Sequence, residues 1–427
     1  MKIQKLDYPG IGETLYSAVL DNGLEVRVVP KKDFSTFYAA FATNYGGACR
    51  RFTVDGRELD TPAGVAHYLE HKMFDLPDGD NALTLLSANG ADPNAFTGDD
   101  MTCYYFQCTE HFEENLRLLL HFVSTPYFTE ETVQKEQGII AQEIRMGEDD
   151  PGQAILYNLL EQLYEHHPIR DHVAGTVESI AEITPELLYD CHRAFYAPSN
   201  MCLCVEGDVE AERIAAIARE VLPGESRSVP APDFGGAEGP LPLTLCRKET
   251  MAVSAPQFLI GAKLDVIPAG EEALRQRLIA QLVLRLLVGS SSPFYTRLYA
   301  EGLLNRDFDY EAEFLAGTGT VFFGGESPDP ERVLAELKEE LKRLSRDGFE
   351  PERFERAKRA SLGARLRGLE DFAGVCISLA SSCFDGYCGL DAIGLLGQVE
   401  KAECDAFLRQ QLAPEKLAIS VIAPGKA

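Results

Sequence analysis

The stretch HYLEH, residues 67–71, places two histidines and a glutamate within five residues. On an α-helix, His67 and His71 would lie about 40° apart on one face, one turn apart, with Glu70 on the same side. Two imidazoles at this spacing can bind one metal ion and leave room for a carboxylate ligand and a water. Glu70 would then be placed to take a proton from that water, whose pKa zinc lowers to about 7. The alternative is a helix face that carries two histidines by chance.

A third protein ligand is needed, and the segment VQKEQGIIAQEI offers Glu136 and Glu143. These residues are seven apart, which puts them about 20° apart on one helix face. One interpretation makes one glutamate a ligand and the other a partner that orients a ligand. The other interpretation is a salt-bridged surface stripe. All eight histidines lie at or before His192, so the second half of the chain has no histidine to offer.

The order of predicted elements indicates two α+β domains. Strand-like runs such as GLEVRVVP and TFYAAFAT alternate with amphipathic helices up to residue 221. Residues 222–241 are rich in Pro, Gly and Ser and are predicted to be a linker. A similar order then repeats. The sequence therefore predicts homologous domains at 1–221 and 242–427, each a mixed, mostly antiparallel sheet flanked by helices, with the metal site only in the first.

These motifs resemble those of the pitrilysin-type zinc metallopeptidases, whose inverted zincin signature is H-x-x-E-H. The resemblance rests on GVAHYLEHKMF, NAFTGDDMTCYYF and VQKEQGIIAQEI, in that order, and is closest to the small bacterial two-domain members. It implies that His67, His71 and Glu143 bind Zn²⁺. It also implies that Glu70 is the general base and that Glu136 is the second acid of the catalytic set.

The resemblance extends to residues that bind substrate. Asn94, in NAFT, matches an asparagine that contacts the substrate backbone, on an edge strand to which a peptide adds in extended form. Without the resemblance, NAFT would be interpreted as an ordinary buried strand. The runs DPNAFTG and MTCYYFQCT are predicted to be paired strands joined by a turn at GDD. In the second half, Arg297 lies near the place of a substrate-binding arginine. The position of its companion tyrosine is occupied by Asn305, and Tyr310 lies further on.

Composition restricts the partners and the compartment. The formal net charge of −27 argues against nucleic acid or an anionic membrane as the main partner. No uninterrupted apolar run of membrane-spanning length is evident, and the N-terminal residues lack the apolar region of a signal peptide. Eleven cysteines without a C-x-x-C pair, with Cys202 and Cys204 on one side of a buried strand, are typical of a reducing compartment. We therefore expect a cytoplasmic protein.

The sequence thus predicts a zinc-dependent endopeptidase that hydrolyses peptides or unfolded segments by Glu-assisted attack of zinc-bound water. The alternative is a non-catalytic peptide-binding or scaffolding subunit of a peptidase complex, for which the sign would be a broken H-x-x-E-H. By resemblance, the expected assembly is a homodimer or a heterodimer with a related chain that lacks the zinc motif. The natural substrate and the identity of the partner are not specified by the sequence.

Overall fold

The computed structural model describes residues 2–54, 56–222, 224 and 227–425. The chain divides into two compact units that are discontinuous in sequence. The first unit comprises Met1–Ile144, His172–Phe234 and Leu366–Gly389. The second unit comprises Arg145–Asp171, Gly235–Arg365 and Leu390–Ala427.

The described strands and α-helices occur partly in runs, with six strands at the start and five consecutive helices near the end. The strands are β1 (Gln4–Tyr8), β2 (Glu13–Val19), β3 (Glu25–Pro30), β4 (Phe37–Thr43), β5 (Arg51–Val54), β6 (Arg57–Asp60), β7 (Asp92–Thr97), β8 (Thr102–Cys108), β9 (Met201–Gly207), β10 (Cys246–Met251), β11 (Gln257–Lys263), β12 (Asp309–Leu315), β13 (Thr318–Glu326) and β14 (Ala418–Pro424). The helices are α1 (Val65–Lys72), α2 (Ala82–Ala88), α3 (Phe112–Ser124), α4 (Glu130–Glu148), α5 (Pro151–Leu163), α6 (Val177–Ile180), α7 (Pro185–Phe195), α8 (Ala211–Val221), α9 (Glu271–Val288), α10 (Pro293–Ala300), α11 (Pro330–Asp347), α12 (Pro351–Gly368), α13 (Phe372–Phe384), α14 (Asp391–Gln398) and α15 (Lys401–Gln411).

The first unit is built on a seven-stranded sheet in the order β1-β2-β3-β9-β4-β8-β7. Only β3 and β9 run parallel; the other neighbours are antiparallel. Every residue of β9, MCLCVEG, is buried, as expected for a central strand covered on both faces. Strand β7 lies at the edge of the sheet and contains Pro93, which has no N–H to donate. An edge strand tolerates proline because one side of its backbone has no neighbouring strand to bond. The predicted pairing of the segments around NAFT and CYYF is confirmed.

The second unit is built on a five-stranded sheet in the order β10-β14-β11-β13-β12. A parallel pair, β10 and β14, is followed by three antiparallel neighbours. The run β3-β9-β4-β8-β7 of the first unit has the same order and the same directions. The prediction of two homologous α+β folds with mixed, mostly antiparallel sheets is confirmed.

Each unit contains a helix from the sequence of the other half. Helix α13, from residues 372–384, packs against β9 and β4 in the first unit, and α5, from residues 151–163, packs against β14 and β11 in the second. The compact units therefore differ from the contiguous segments 1–221 and 242–427. One boundary, between Phe234 and Gly235, falls inside the predicted linker 222–241, of which Pro223, Glu225 and Ser226 lie outside the described residues.

Within the described part of the chain, the helical stretch Glu271–Ala300 is long and apolar enough to cross a membrane, judged by length and composition. This differs from the expectation that no apolar stretch has membrane-spanning length. The structure buries 61% of its apolar window, and the core helix of a soluble protein passes the same test. The stretch is therefore weak evidence for a membrane span.

A buried carboxylate at the end of β9 gives the first unit a pH-sensitive stability. The Glu206 side chain is fully buried, and its Oε1 lies 3.3 Å from Lys31 Nζ, which also pairs with Glu13 at 2.5 Å. Burial raises the pKa of Glu206 to about 7; Lys31 opposes the rise, whereas Glu13 and Asp371 add to it. The charged form of Glu206 is therefore unfavourable in the folded state.

We expect Glu206→Gln to stabilise the protein at high pH. Because the folded pKa exceeds the ordinary value of 4.5, wild type loses stability as the pH rises from 4.5 through 7. The loss amounts to about 3 kcal/mol above pH 7. In thermal melts, the variant should melt above wild type at pH 8 and approach it at pH 4.5, whereas the exposed control Glu212→Gln should follow wild type. A pH-independent difference between Glu206→Gln and wild type would contradict this account.

Candidate active site

Helix α1 carries the HYLEH motif and begins where the backbone takes a left-handed turn. The sequence predicts a helix start just after Pro62, but α1 begins at Val65, because Gly64 precedes it with φ of 97°. A Cβ on Gly64 would lie 2.6 Å from the Ala174 carbonyl oxygen, so glycine is required at this close approach.

One buried contact joins α1 to α4, the helix that carries the two candidate glutamates. Tyr68 is fully buried, and its hydroxyl donates a hydrogen bond to the Val133 carbonyl oxygen. Ile140 and Ile144 of α4 are buried in the same hydrophobic core as Tyr68 and Leu69. Glu136 and Glu143 lie on the neighbouring stripe of α4, within 3.6 Å of the histidines.

His67, His71 and Glu143 converge. Their candidate ligand atoms all lie within 4.8 Å of one another, and the two imidazole rings are 4.7 Å apart. His67 Nε2 lies 3.4 Å from Glu143 Oε1, and His71 Nε2 lies 3.6 Å from Glu143 Oε2. Ligand bonds of about 2.0–2.1 Å in a tetrahedron would separate the donor atoms by about 3.4 Å, so the three side chains fit a zinc ion. A hydrogen bond to His67 lowers the pKa of Glu143, which favours the carboxylate form that binds metal.

Glu136 holds the imidazole of His71 in place. Its Oε1 lies 3.0 Å from His71 Nδ1, the ring nitrogen that faces away from Glu143. Burial of His71 opposes protonation, but the hydrogen bond to Glu136 and the charges of Glu70, Glu136 and Glu143 raise its pKa overall. Burial likewise works against ionisation of Glu136, but its contact with His71 lowers the pKa overall. A carboxylate on the outer nitrogen of a ligand histidine fixes its tautomer and orientation.

Glu70 lies beneath this group and is buried. Burial raises its pKa; a hydrogen bond from Thr97 and the charges of His67 and His71 act in the opposite direction, and Glu143 adds to the rise. Thr97 Oγ1 donates to Glu70 Oε2 at 2.5 Å, which leaves Oε1 as the oxygen available for proton transfer. The sequence analysis missed this role of Thr97. Alternation along β7 was the available signal, since it places Thr97 on the sheet face opposite that of Asn94 and Phe96.

Asn94 lies on β7, and β7 is an edge strand, as predicted. Its side chain is exposed, and its Oδ1 accepts the Ala95 N–H at 2.9 Å. In the pairing with β8, Ala95 lies opposite Tyr104. Because the Ala95 N–H bonds to the Asn94 side chain, it points away from β8, toward the open edge of the sheet. The edge strand also carries Thr97, which bonds to Glu70.

Arg297 is the one predicted site residue in the second unit; the other six lie in the first. It lies on α10, where its guanidinium donates to Glu336 Oε2 at 2.8 Å and lies 3.6 Å from Glu301 Oε1. Asn305 donates to Asp307 and Glu326, and Tyr310 lies on β12. Substrate binding by Arg297 stays a prediction, now with two carboxylates that would compete for the guanidinium.

Two family models match consecutive parts of the chain. The model described as Insulinase (Peptidase family M16) matches residues 56–177, and the model described as Peptidase M16 inactive domain matches residues 182–361. The first span contains all six candidates of the first unit. The second span covers most of the remaining chain.

Whole-chain relatives agree with these matches. The chain is 36% identical over 430 residues to the uncharacterized zinc protease YmfH of Bacillus subtilis (strain 168), covering 99% of each chain. It resembles the crystal structure of an M16-like peptidase from Alicyclobacillus acidocaldarius with a TM-score of 0.93 and 32% identity, over 98% of this chain and 100% of that one. Pitrilysin shares the fold, with a TM-score of 0.80 at 16% identity; all of this chain matches 47% of pitrilysin.

These matches agree with the resemblance seen in the motifs and with the repeated sheet order. The chain belongs to peptidase family M16, as a small two-domain member of the pitrilysin type.

Proposed function

We propose that this protein is a zinc-dependent endopeptidase that cleaves peptides or unfolded segments. The observation that carries the proposal is the convergence of His67, His71 and Glu143 within 4.8 Å, beside the buried carboxylate of Glu70. Two imidazoles and one carboxylate form an open donor set, as in catalytic zinc sites, whereas structural zinc sites are closed by four protein ligands, usually with cysteine.

His67, His71 and Glu143 would hold the ion. When bound, zinc acts as a Lewis acid, polarising the scissile carbonyl and lowering the pKa of water. Glu70 Oε1 takes a proton from the attacking water and then passes it to the leaving amine, so no covalent intermediate is needed. Thr97 keeps the other carboxylate oxygen in place during both transfers.

The edge of β7 would bind the substrate as an added strand. Main-chain hydrogen bonds of this kind hold a peptide extended and demand little of its sequence. The exposed amide of Asn94 lies on this edge strand, three residues before Thr97, which contacts Glu70. This arrangement suits peptides and unfolded segments, because a folded protein rarely presents an unpaired extended strand.

We further propose a cytoplasmic location and a dimeric assembly, either with a second copy or with a related chain that lacks the zinc motif. The cysteines of the described residues are free thiols, which suits a reducing compartment. Zinc binding without cleavage by the isolated chain would favour the heterodimer.

A non-catalytic peptide-binding subunit is the second candidate. The match of residues 182–361 to the inactive-domain model favours it. However, that span excludes the HYLEH helix, Glu136 and Glu143. The intact constellation in the first unit therefore favours the peptidase.

Replacing Glu70 by Gln should separate metal binding from turnover. We expect Glu70→Gln to keep its zinc, because Glu70 is not in the donor set, and to lose about 10²- to 10⁴-fold in kcat with loss of the general base. Zinc content and cleavage of an unstructured quenched peptide would be measured together, with and without a chelator. Glu131→Gln, an exposed change on α4, is the matched control. Wild-type turnover by Glu70→Gln would refute the mechanism.

Replacing Glu136 by Gln should weaken zinc binding without removing a ligand. The variant loses the charged acceptor on His71 Nδ1, and we expect its zinc affinity to fall by about 10- to 100-fold. Competition with a chromogenic chelator measures the affinity directly, and Glu131→Gln should match wild type. An unchanged affinity for Glu136→Gln would show that the contact does not orient His71.

If the substrate binds as an added strand, the effect of N-methylation on KM should alternate from one substrate residue to the next. A peptide strand directs alternate N–H groups toward β7, so single N-methylation at those residues should raise KM by about three- to tenfold each. N-methylation at the intervening residues should have little effect. KM would be measured for a series of singly N-methylated quenched peptides away from the scissile bond. A flat profile along the peptide would exclude strand addition.

A further inference from the structure

A cavity in the second unit has a lining unlike the rest of the molecule. It measures about 230 Å³ and lies between α9, the loop before α10, β12 and α12. Nine residues line it: Arg285, Leu286, Ser290, Ser291, Tyr310, Arg353, Arg356, Ala357 and Ala360. Three are arginines and none is acidic, although the chain has 67 acidic residues against 40 lysines and arginines. The lining thus reverses the charge balance of the chain.

Two of the three arginines of this cavity, Arg285 and Arg353, lack a carboxylate partner among the described residues. Arg285 donates to the Ser361 hydroxyl at 3.1 Å, and Arg353 donates to the Leu286 carbonyl at 3.1 Å. Among the described residues, no carboxylate lies within 4.0 Å of either guanidinium. Arg356 forms an ion pair with Glu352 at 3.6 Å, which is longer than a hydrogen bond.

A neighbouring cavity provides the contrast. It shares Arg353 with the first cavity and is also lined by Arg297 and Arg343. Both of those arginines are neutralised, Arg297 by Glu336 at 2.8 Å and Arg343 by Glu340 at 2.7 Å. The smaller cavity therefore combines two arginines that have no carboxylate partner among the described residues, Arg285 and Arg353, with a lining that contains no acidic residue.

Three hydroxyl groups complete the lining with further hydrogen-bond donors. Burial raises the pKa of Tyr310, with Arg285 opposing, so its hydroxyl keeps the proton that it can donate. Gly289 lets the loop approach this ring, since a Cβ there would lie 3.0 Å from Tyr310 Oη. Ser292 caps α10 by accepting the Tyr295 N–H, which leaves the hydroxyls of Ser290 and Ser291 outside the cap.

We propose that this cavity binds a phosphoryl oxyanion through Arg285, Arg353 and Arg356, with Ser290, Ser291 and Tyr310 as additional donors. Guanidinium groups remain charged at any physiological pH and suit phosphate oxygens. One guanidinium can satisfy a carboxylate through two parallel bonds, whereas three guanidiniums around one space match the larger number of phosphoryl oxygens.

The size of the cavity is consistent with this ligand class. It could hold about eight waters at roughly 30 Å³ each, so a phosphoryl group enters with room for a short organic substituent. Both free phosphate and a small phosphate monoester present the required chemistry. The site is independent of the zinc chemistry proposed for the first unit.

Calorimetric titration with inorganic phosphate at low ionic strength tests the proposal without any peptidase assay. We expect saturable binding to wild type that Arg356→Gln and Arg285→Gln each weaken by about tenfold or more. Arg359→Gln, an exposed change on α12 outside the lining, removes the same charge and should bind as wild type does. O-phosphoserine, titrated in parallel, distinguishes a monoester from free phosphate as the preferred form.

Three results would overturn the proposal. These are no saturable binding of phosphate or O-phosphoserine to wild type, equal weakening by Arg359→Gln, and binding of acetate as tight as that of phosphate. Arg285 also bonds to Ser361, so its variant could lose local structure. The exposed side chain of Arg356 makes Arg356→Gln the decisive variant, with circular dichroism to verify the fold.

Discussion

The candidate site depends on the packing of α1 against α4. The donor atoms come from residues 67, 71 and 143, so no local sequence can bring them together. The buried hydroxyl of Tyr68, bonded to the Val133 carbonyl, and the isoleucines of α4 fix the two helices in the first unit. Burying imidazoles and carboxylates in this contact is costly unless each finds a partner. The pairs His71–Glu136 and Thr97–Glu70 supply these partners.

Sheet order places an open strand edge beside these helices. Because β7 is last in the order, one side of its backbone is left without a neighbouring strand. An exposed edge is an aggregation risk that proteins usually limit, and the short β7 contains Pro93, which carries no N–H. The same edge strand carries Thr97, whose hydroxyl holds the buried Glu70 carboxylate. A single short strand therefore combines an open backbone edge with a side chain that orients Glu70.

Much of this arrangement follows from local pattern in the sequence. Helical periodicity predicts that His67 and His71 share a face, and alternation predicts the β7–β8 pair; the structure agrees with both. Spacing alone could not predict the exchange of α5 and α13, because each helix has an ordinary amphipathic sequence and its partner sheet is set by tertiary packing. The bond from Thr97 to Glu70 and the convergence of Arg285 with Arg353 depend on side chains far apart in sequence, for which one sequence gives no distance.

The second unit shows how one frame can carry different chemistry. Between β11 and β12, α9 takes the place in the order of elements that α1 and α2 have between β4 and β7. The sequence of α9 contains no histidine. Arg285 is the charged residue of this helix that lines the cavity. The equivalent edge strand, β12, contributes Tyr310 where β7 contributes Thr97 and Asn94. The second half of the chain has no histidine to offer a metal ion, whereas α9 supplies Arg285 to the cavity proposed to bind an anion. The repeat therefore preserves the order of the strands, while the side chains on the helices between them differ in charge and in the chemistry they can offer.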